Sequence, residues 1–209
     1  MANQQPRYEA VERVMHWIHA PVVILLVLSG WYIYSPTTAP FFSGMASARL
    51  VHFVCMWIFL CVGIFHGYDY FVSGRFATDS FHFKDTKEVP YELRARYVLL
   101  ESEDGRFVGR FGPLEKLTYE ITFIVSALTT VSGLLIYYGT HPTSMGWFNV
   151  LVGKLNAMGG GIQNMKAFHL LLAWFFVLYL AVHIYFFLTE DRGAILDMLT
   201  GRARTRTEA

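Results

Sequence analysis

Charge is scarce in this 209-residue chain: Asp, Glu, Lys and Arg make up 16% of it, and 17 basic against 16 acidic residues leave a formal net charge of +1. No whole-chain basic field exists to recruit nucleic acid. Cysteine is nearly absent, with only Cys55 and Cys61. Both lie in one apolar run, where they cannot meet across a single helix, and they match no zinc or redox spacing, so they are expected in the core. No Cys-x-x-Cys-His occurs, which excludes covalent haem attachment, and neither internal repeats nor low-complexity blocks are present. What the chain has in abundance is apolar surface. Hydrophobic residues reach 54% and mean hydropathy is +0.37, too apolar for an ordinary soluble domain or a disordered chain. An integral membrane protein is expected.

A helix rising 1.5 Å per residue needs roughly 20 apolar residues to cross a hydrocarbon core about 30 Å thick. Four stretches meet this, at 14–34, 50–71, 117–138 and 167–188, and predict an all-α, four-helix membrane bundle over residues 1–209 as a single domain. The first span resembles a signal peptide in that Ala46-Ser47-Ala48 follows it, but its length and its His16, Trp17 and His19 predict a retained helix. Pro21 within it is tolerated where neighbouring helices satisfy the freed carbonyl. Aromatic pairs such as Trp31-Tyr32 and Tyr137-Tyr138 stand at span ends, where amphipathic rings favour the interface.

All the Lys and Arg residues except Arg49, Lys154 and Lys166 lie in the two tails and in the polar 72–116 loop. By the positive-inside rule both termini and that loop are expected in the cytoplasm, in a multi-pass protein of the inner membrane. The 35–49 and 139–166 loops then face outward. Gly159-Gly160-Gly161 predicts that the second of these is flexible or closely approached by another backbone.

Of the eight histidines, all but His82 and His141 fall in the spans, where an ionisable ring is costly and marks a functional site by default. Their spacing carries the argument. His169 and His183 are 14 residues apart, nearly four helical turns, so both rings leave one face of the fourth helix about 21 Å from each other along its axis. His52 begins the second helix at the outer depth of His169. His16 lies near the cytoplasmic depth of His183.

Two imidazole pairs at matched depths suit two b-type haems, each a flat apolar ring whose iron takes one nitrogen from either side. Zinc wants three or four ligands at one depth, and here they come in twos. On spacing alone His66, which follows His52 by 14 residues, is as good a partner for His183 as His16. His19 is the weakest candidate, since it points about 60° away from His16 on the helical wheel.

Several motifs place the chain beside a known family. Glu12-Arg13-Val14-Met15-His16-Trp17 with the later Ser29-Gly30, Arg49-Leu50-Val51-His52-Phe53, and His169 with His183 ahead of Glu190-Asp191 and Met198-Leu199-Thr200-Gly201 resemble the b-type cytochrome subunit of membrane-bound nickel-iron hydrogenases. The wider cytochrome b561-like family includes formate dehydrogenase gamma subunits. Gly74-Arg75-Phe76 and Tyr91-Glu92-Leu93-Arg94 look more like the hydrogenase branch. The resemblance implies that His52 and His169 ligate the outer haem and His16 and His183 the inner one, with His66 at a haem propionate. It also implies hydrogenase large and iron-sulfur small subunits on the outer face, and a quinone that accepts the electrons near the cytoplasmic side.

Where the family often carries Asn before its third helix, this chain reads Phe111-Gly112-Pro113-Leu114-Glu115-Lys116, and Leu170 replaces a frequent Arg. Quinone is expected near Gly112, Glu115 and Glu120. Glu120 lies about one turn inside the third helix, where it could relay protons or instead snorkel or pair with Lys116. The expected function is thus a dihaem membrane anchor passing hydrogenase electrons to the quinone pool. The same role for a formate dehydrogenase or another molybdenum enzyme, a proton-coupled transporter using the histidines, and a purely structural anchor are the rivals.

Overall fold

The computed structural model describes residues 8–38, 41–94, 112–189 and 192–201. The described residues form helices and turns without a strand: α1 Ala10–Tyr34, α2 Met45–Val72, α3 Arg75–Asp79, a 3-10 turn Phe83–Lys87, α4 Val89–Arg94, α5 Pro113–Thr140, α6 Gly146–Met158, α7 Ile162–Thr189 and α8 Arg192–Thr200. Among them α1, α2, α5 and α7 are long and apolar enough to cross a membrane.

Each long helix starts earlier than the apolar run within it, because polar residues cap helices as well as apolar ones extend them. In α1 a capping box closes the first turn, with the Glu9 amide donating to Glu12 Oε2 at 2.8 Å,. Pro113 opens α5, where its missing N–H has no intrahelical partner to lose,. α1 passes unbroken through Pro21.

Burial follows the logic of a bilayer rather than of water. Leu50, Ile64, Trp174, Leu178 and Tyr185 face outward, while small or polar Ser29, Ala48 and Ser132 are among the most enclosed residues. Lipid tails are as apolar as leucine, so large side chains gain nothing by turning inward, and small ones let helices approach.

The chain forms two compact units, one from 1–66 with 129–209 and one from 67–128. In the first, α6 occupies part of the expected 139–166 loop. The Asn156 amide donates from Nδ2 to the Leu135 carbonyl of α5 at 3.0 Å. The glycine triplet that follows forms a tight reversal. Gly160 and Gly161 have φ of +78° and +92°, values that penalise any Cβ, and the Gly161 amide closes back on the Asn156 carbonyl at 2.7 Å. A Cβ on Gly159 would meet the Met165 side chain and the Asn156 and Leu155 carbonyl oxygens, and one on Gly160 would meet the Asn164 side chain. Also in this unit, Trp17 Nε1 donates to the Met198 carbonyl of α8 at 3.3 Å.

The second unit holds the described part of the 72–116 loop. Arg75 pairs with Asp69, Tyr70 packs edge-on against Phe71 and Phe76, and Asp85 accepts from the His82 amide at 2.9 Å. Glu92, 0% exposed, accepts from the Leu114 amide at 2.6 Å and so caps α5. A buried carboxylate at a helix N-terminus satisfies an orphan amide and opposes the macrodipole.

Candidate functional site

Two pairs of histidine rings meet inside the first unit. The His52 ring on α2 faces the His169 ring on α7, centroids 6.4 Å apart and planes at 71°. The His16 ring on α1 faces the His183 ring on α7, centroids 6.1 Å apart and planes at 42°. Rings joined end to end by an N–H···N hydrogen bond would have centroids about 5 Å apart. Rings ligating opposite sides of one metal at about 2 Å each stand just over 6 Å apart. Both pairs fit the second distance.

The environment of His52 assigns its tautomer. Ser29, 0% exposed, lies with its Oγ 2.9 Å from His52 Nδ1. A hydroxyl has one proton, and Ser29 gives it to the Leu25 carbonyl at 2.6 Å. Its oxygen therefore accepts from Nδ1–H. The proton sits on Nδ1, and Nε2 keeps its lone pair.

His169 repeats the arrangement from a different pair of helices. Ser132 of α5, 2% exposed, places Oγ 2.9 Å from His169 Nδ1 and donates to the Thr129 carbonyl at 3.0 Å. A glycine follows each serine. A Cβ on Gly30 would stand 3.4 Å from His52 Cε1, and one on Gly133 would stand 3.1 Å from His169 Cε1. Glycine is what lets each helix backbone lie against a ring edge.

The other level is built differently. His16 touches Trp17 edge-on at 5.2 Å, and His183 stacks on Tyr179 at 5.5 Å. His16 Nδ1 is buried without a hydrogen-bond partner among the described residues. His66, the alternative by spacing, has its Nδ1 3.2 Å from Met15 Sδ on α1. His19 Nε2 donates to the Phe59 carbonyl at 3.4 Å, which bridges α1 to α2.

No group of three or more His, Cys, Asp or Glu side chains that could hold a metal ion occurs among the described residues. The histidines come in twos, among apolar and aromatic neighbours. That donor set fits a planar macrocycle that already supplies four nitrogens to its iron.

The residues expected near quinone lie in the second unit. Gly112 and Glu115 belong to the start of α5: the Gly112 amide donates to Glu115 Oε2 at 3.1 Å, and the Glu92 carboxylate packs against Gly112. Glu120 is half-buried beside Tyr70. No ion pair joins it to Lys116 among the described residues, so pairing along the helix is not what holds it.

Sequence reasoning missed Ser132, Gly133 and the capping role of Glu92. A signal for the first two existed in Ser132-Gly133, the only Ser-Gly besides Ser29-Gly30 within the four apolar spans, in the one long helix that has no histidine. Nothing local marked Glu92, since its partner amide is distant in sequence.

The family model described as prokaryotic cytochrome b561 matches residues 7–201. Among curated relatives, the probable Ni/Fe-hydrogenase B-type cytochrome subunit of Cupriavidus necator is 27% identical, over 95% of this chain and 86% of its own length. The protein of the same description from Azotobacter vinelandii is 28% identical, over 93% of this chain and 85% of its own. The probable Ni/Fe-hydrogenase 1 B-type cytochrome subunit of Escherichia coli K12 is 24% identical, over 88% and 82%.

Proposed function

The chain belongs to the prokaryotic cytochrome b561 family, multi-pass membrane bundles that carry b-type haem, and from that premise we propose that it binds two haems and passes electrons from a hydrogenase to quinone. The observation that carries this reading is the pair of facing histidines at each of two levels, 6.4 Å and 6.1 Å between ring centroids. His52 and His169 are assigned to the haem nearer the outer surface, His16 and His183 to the inner one. Bound haem supplies a one-electron carrier at each level.

The protein's own contribution is position and environment. The α7 histidines stand about 21 Å apart along the helix axis, which sets the two levels at different depths. Ser29 and Ser132 hold the outer rings in the ligating tautomer, and Tyr179, Trp17, Phe176 and Leu172 supply apolar walls. At the inner level the Met15–His66 contact braces α1 against α2 one residue before His16.

The partner reading rests on the relatives being hydrogenase B-type cytochrome subunits and on the Gly74-Arg75-Phe76 and Tyr91-Glu92-Leu93-Arg94 segments. The partners are the hydrogenase large and iron-sulfur small subunits on the outer face of the inner membrane, with both termini of this chain in the cytoplasm. Quinone is assigned near the cytoplasmic ends of the long helices, with Glu120 delivering the protons that its reduction takes up. Carrying each electron inward against about 100 mV costs roughly 2.3 kcal/mol, so the redox drop must exceed that, and turnover energises the membrane.

Haem quantification with ligand variants tests the reading. The expected result is about two haem b per chain by pyridine haemochrome, with His52→Met or His169→Met removing one spectral component and His183→Met the other. A stoichiometry near one, or loss of the same component in His52→Met and His183→Met, refutes it.

A further inference from the structure

We infer that Ser29 and Ser132 are positioning residues that make the His52–His169 pair the stronger electron donor, so that the haem held there has a lower reduction potential than the one held by His16 and His183. The inference rests on the bis-histidine reading proposed above.

The argument starts from the hydroxyl protons. Each serine spends its only proton on a backbone carbonyl of its own helix, Leu25 at 2.6 Å and Thr129 at 3.0 Å, and each accepts from an Nδ1–H at 2.9 Å. Accepting that proton's hydrogen bond moves electron density through the ring toward Nε2. A richer Nε2 favours ferric iron over ferrous and so lowers the potential. Both histidines that would hold this haem receive the push, from serines on α1 and α5. With the serines 0% and 2% exposed, no bulk water competes for the bond, and in a low dielectric its effect is large.

The second level has no matching device on its α1 ligand. His16 Nδ1 is buried and has no hydrogen-bond partner among the described residues, and the ring lies against the Trp17 and His183 rings. A ligand without an acceptor at Nδ1 donates less. The difference between levels therefore tilts electron transfer from the His52–His169 pair toward the His16–His183 pair, the direction in which the membrane potential opposes it.

The test is a redox titration of the full chain with its haem, followed by visible spectra and low-spin resonance signals. The component lost in His52→Met identifies the serine-supported level. In the unaltered protein that component should titrate at the lower potential of the two. In Ser29→Ala/Ser132→Ala its midpoint should rise by about tenfold in the reduction equilibrium, which is about 59 mV for one electron, with altered resonance anisotropy and the other component unmoved. A component that titrates higher in the unaltered protein, a shift below threefold, or an equal shift of both components overturns the inference. The first of these outcomes needs no serine variant, so it stands even where the double variant folds poorly. If His52→Met removes no component at all, it is the bis-histidine reading that fails.

Discussion

Gly133 and Gly30 occupy equivalent places beside the two rings of one pair, yet alanine at each has a different cost. At Gly133 the added Cβ would stand 3.1 Å from His169 Cε1, inside the optimum of about 3.5–4.0 Å for carbon contacts. The ring must yield by about half an ångström, which is the tolerance of a preorganised site. It cannot yield freely, because Ser132 holds its Nδ1 at 2.9 Å from the adjacent position of α5. Overpacking of this kind costs about 1–3 kcal/mol. At Gly30 the Cβ would stand 3.4 Å from His52 Cε1, nearly an ordinary contact, so the cost should stay within a few tenths of a kcal/mol plus the helix-propensity gain from alanine. Gly133→Ala should therefore broaden or weaken the low-spin signal of the His52–His169 haem and release that haem at lower temperature, with the other component unchanged. Gly30→Ala should leave both components close to native. The assay is thermal haem release followed in the visible spectrum, with resonance spectra before heating. Equal behaviour of the two variants, or a native signal and native release temperature in Gly133→Ala, refutes the reasoning.

Two further outcomes follow from the same geometry. His16→Ala should convert the inner haem from low spin to high spin or expel it, whereas His66→Ala should keep the low-spin signal and at most shift its potential, since His66 touches Met15 rather than forming the facing pair with which His183 is assigned,. The reverse pattern in resonance spectra would move the inner haem onto α2 and α7. Glu120→Gln should slow quinone-linked turnover about tenfold or more while both haems stay spectroscopically native, because an amide cannot carry the proton that the proposed relay passes on. Full turnover in both Glu120→Gln and Glu115→Gln would remove the proposed proton route and leave the haem assignment untouched.

Much of the helical framework was readable from residues 14–34, 50–71, 117–138 and 167–188, because a bilayer imposes a length on any apolar helix and the chain has few charges to interrupt one. The ends were less readable. α1 begins at Ala10 and α2 at Met45, since caps and turns, not hydropathy, decide where a helix starts. α6 and α8 went unnoticed inside segments read as a loop and a tail. Both are too short or too polar to cross a membrane, so the criterion that finds spans does not see them. The 95–111 part of the 72–116 loop, including Phe111, lies outside the described residues.

The histidine pattern shows where sequence stops and tertiary structure begins. That His169 and His183 share a face of α7 at two depths follows from 14 residues at 3.6 per turn, a local property of any helix. Spacing equally allowed His16 or His66 to stand opposite His183, because it says nothing about how a helix is rotated about its own axis. That rotation is set by packing against neighbours. In the fold, α1 turns His16 toward His183 and lays Met15 against His66. Ser29 and Ser132 carry the same lesson. A serine in an apolar helix reads as nothing in particular until another helix brings an imidazole to within 2.9 Å of its oxygen. Which residues are costly in lipid is intrinsic to each side chain and was legible one position at a time. Which of them face one another depends on contacts between segments far apart in the chain, and only the folded bundle decides those.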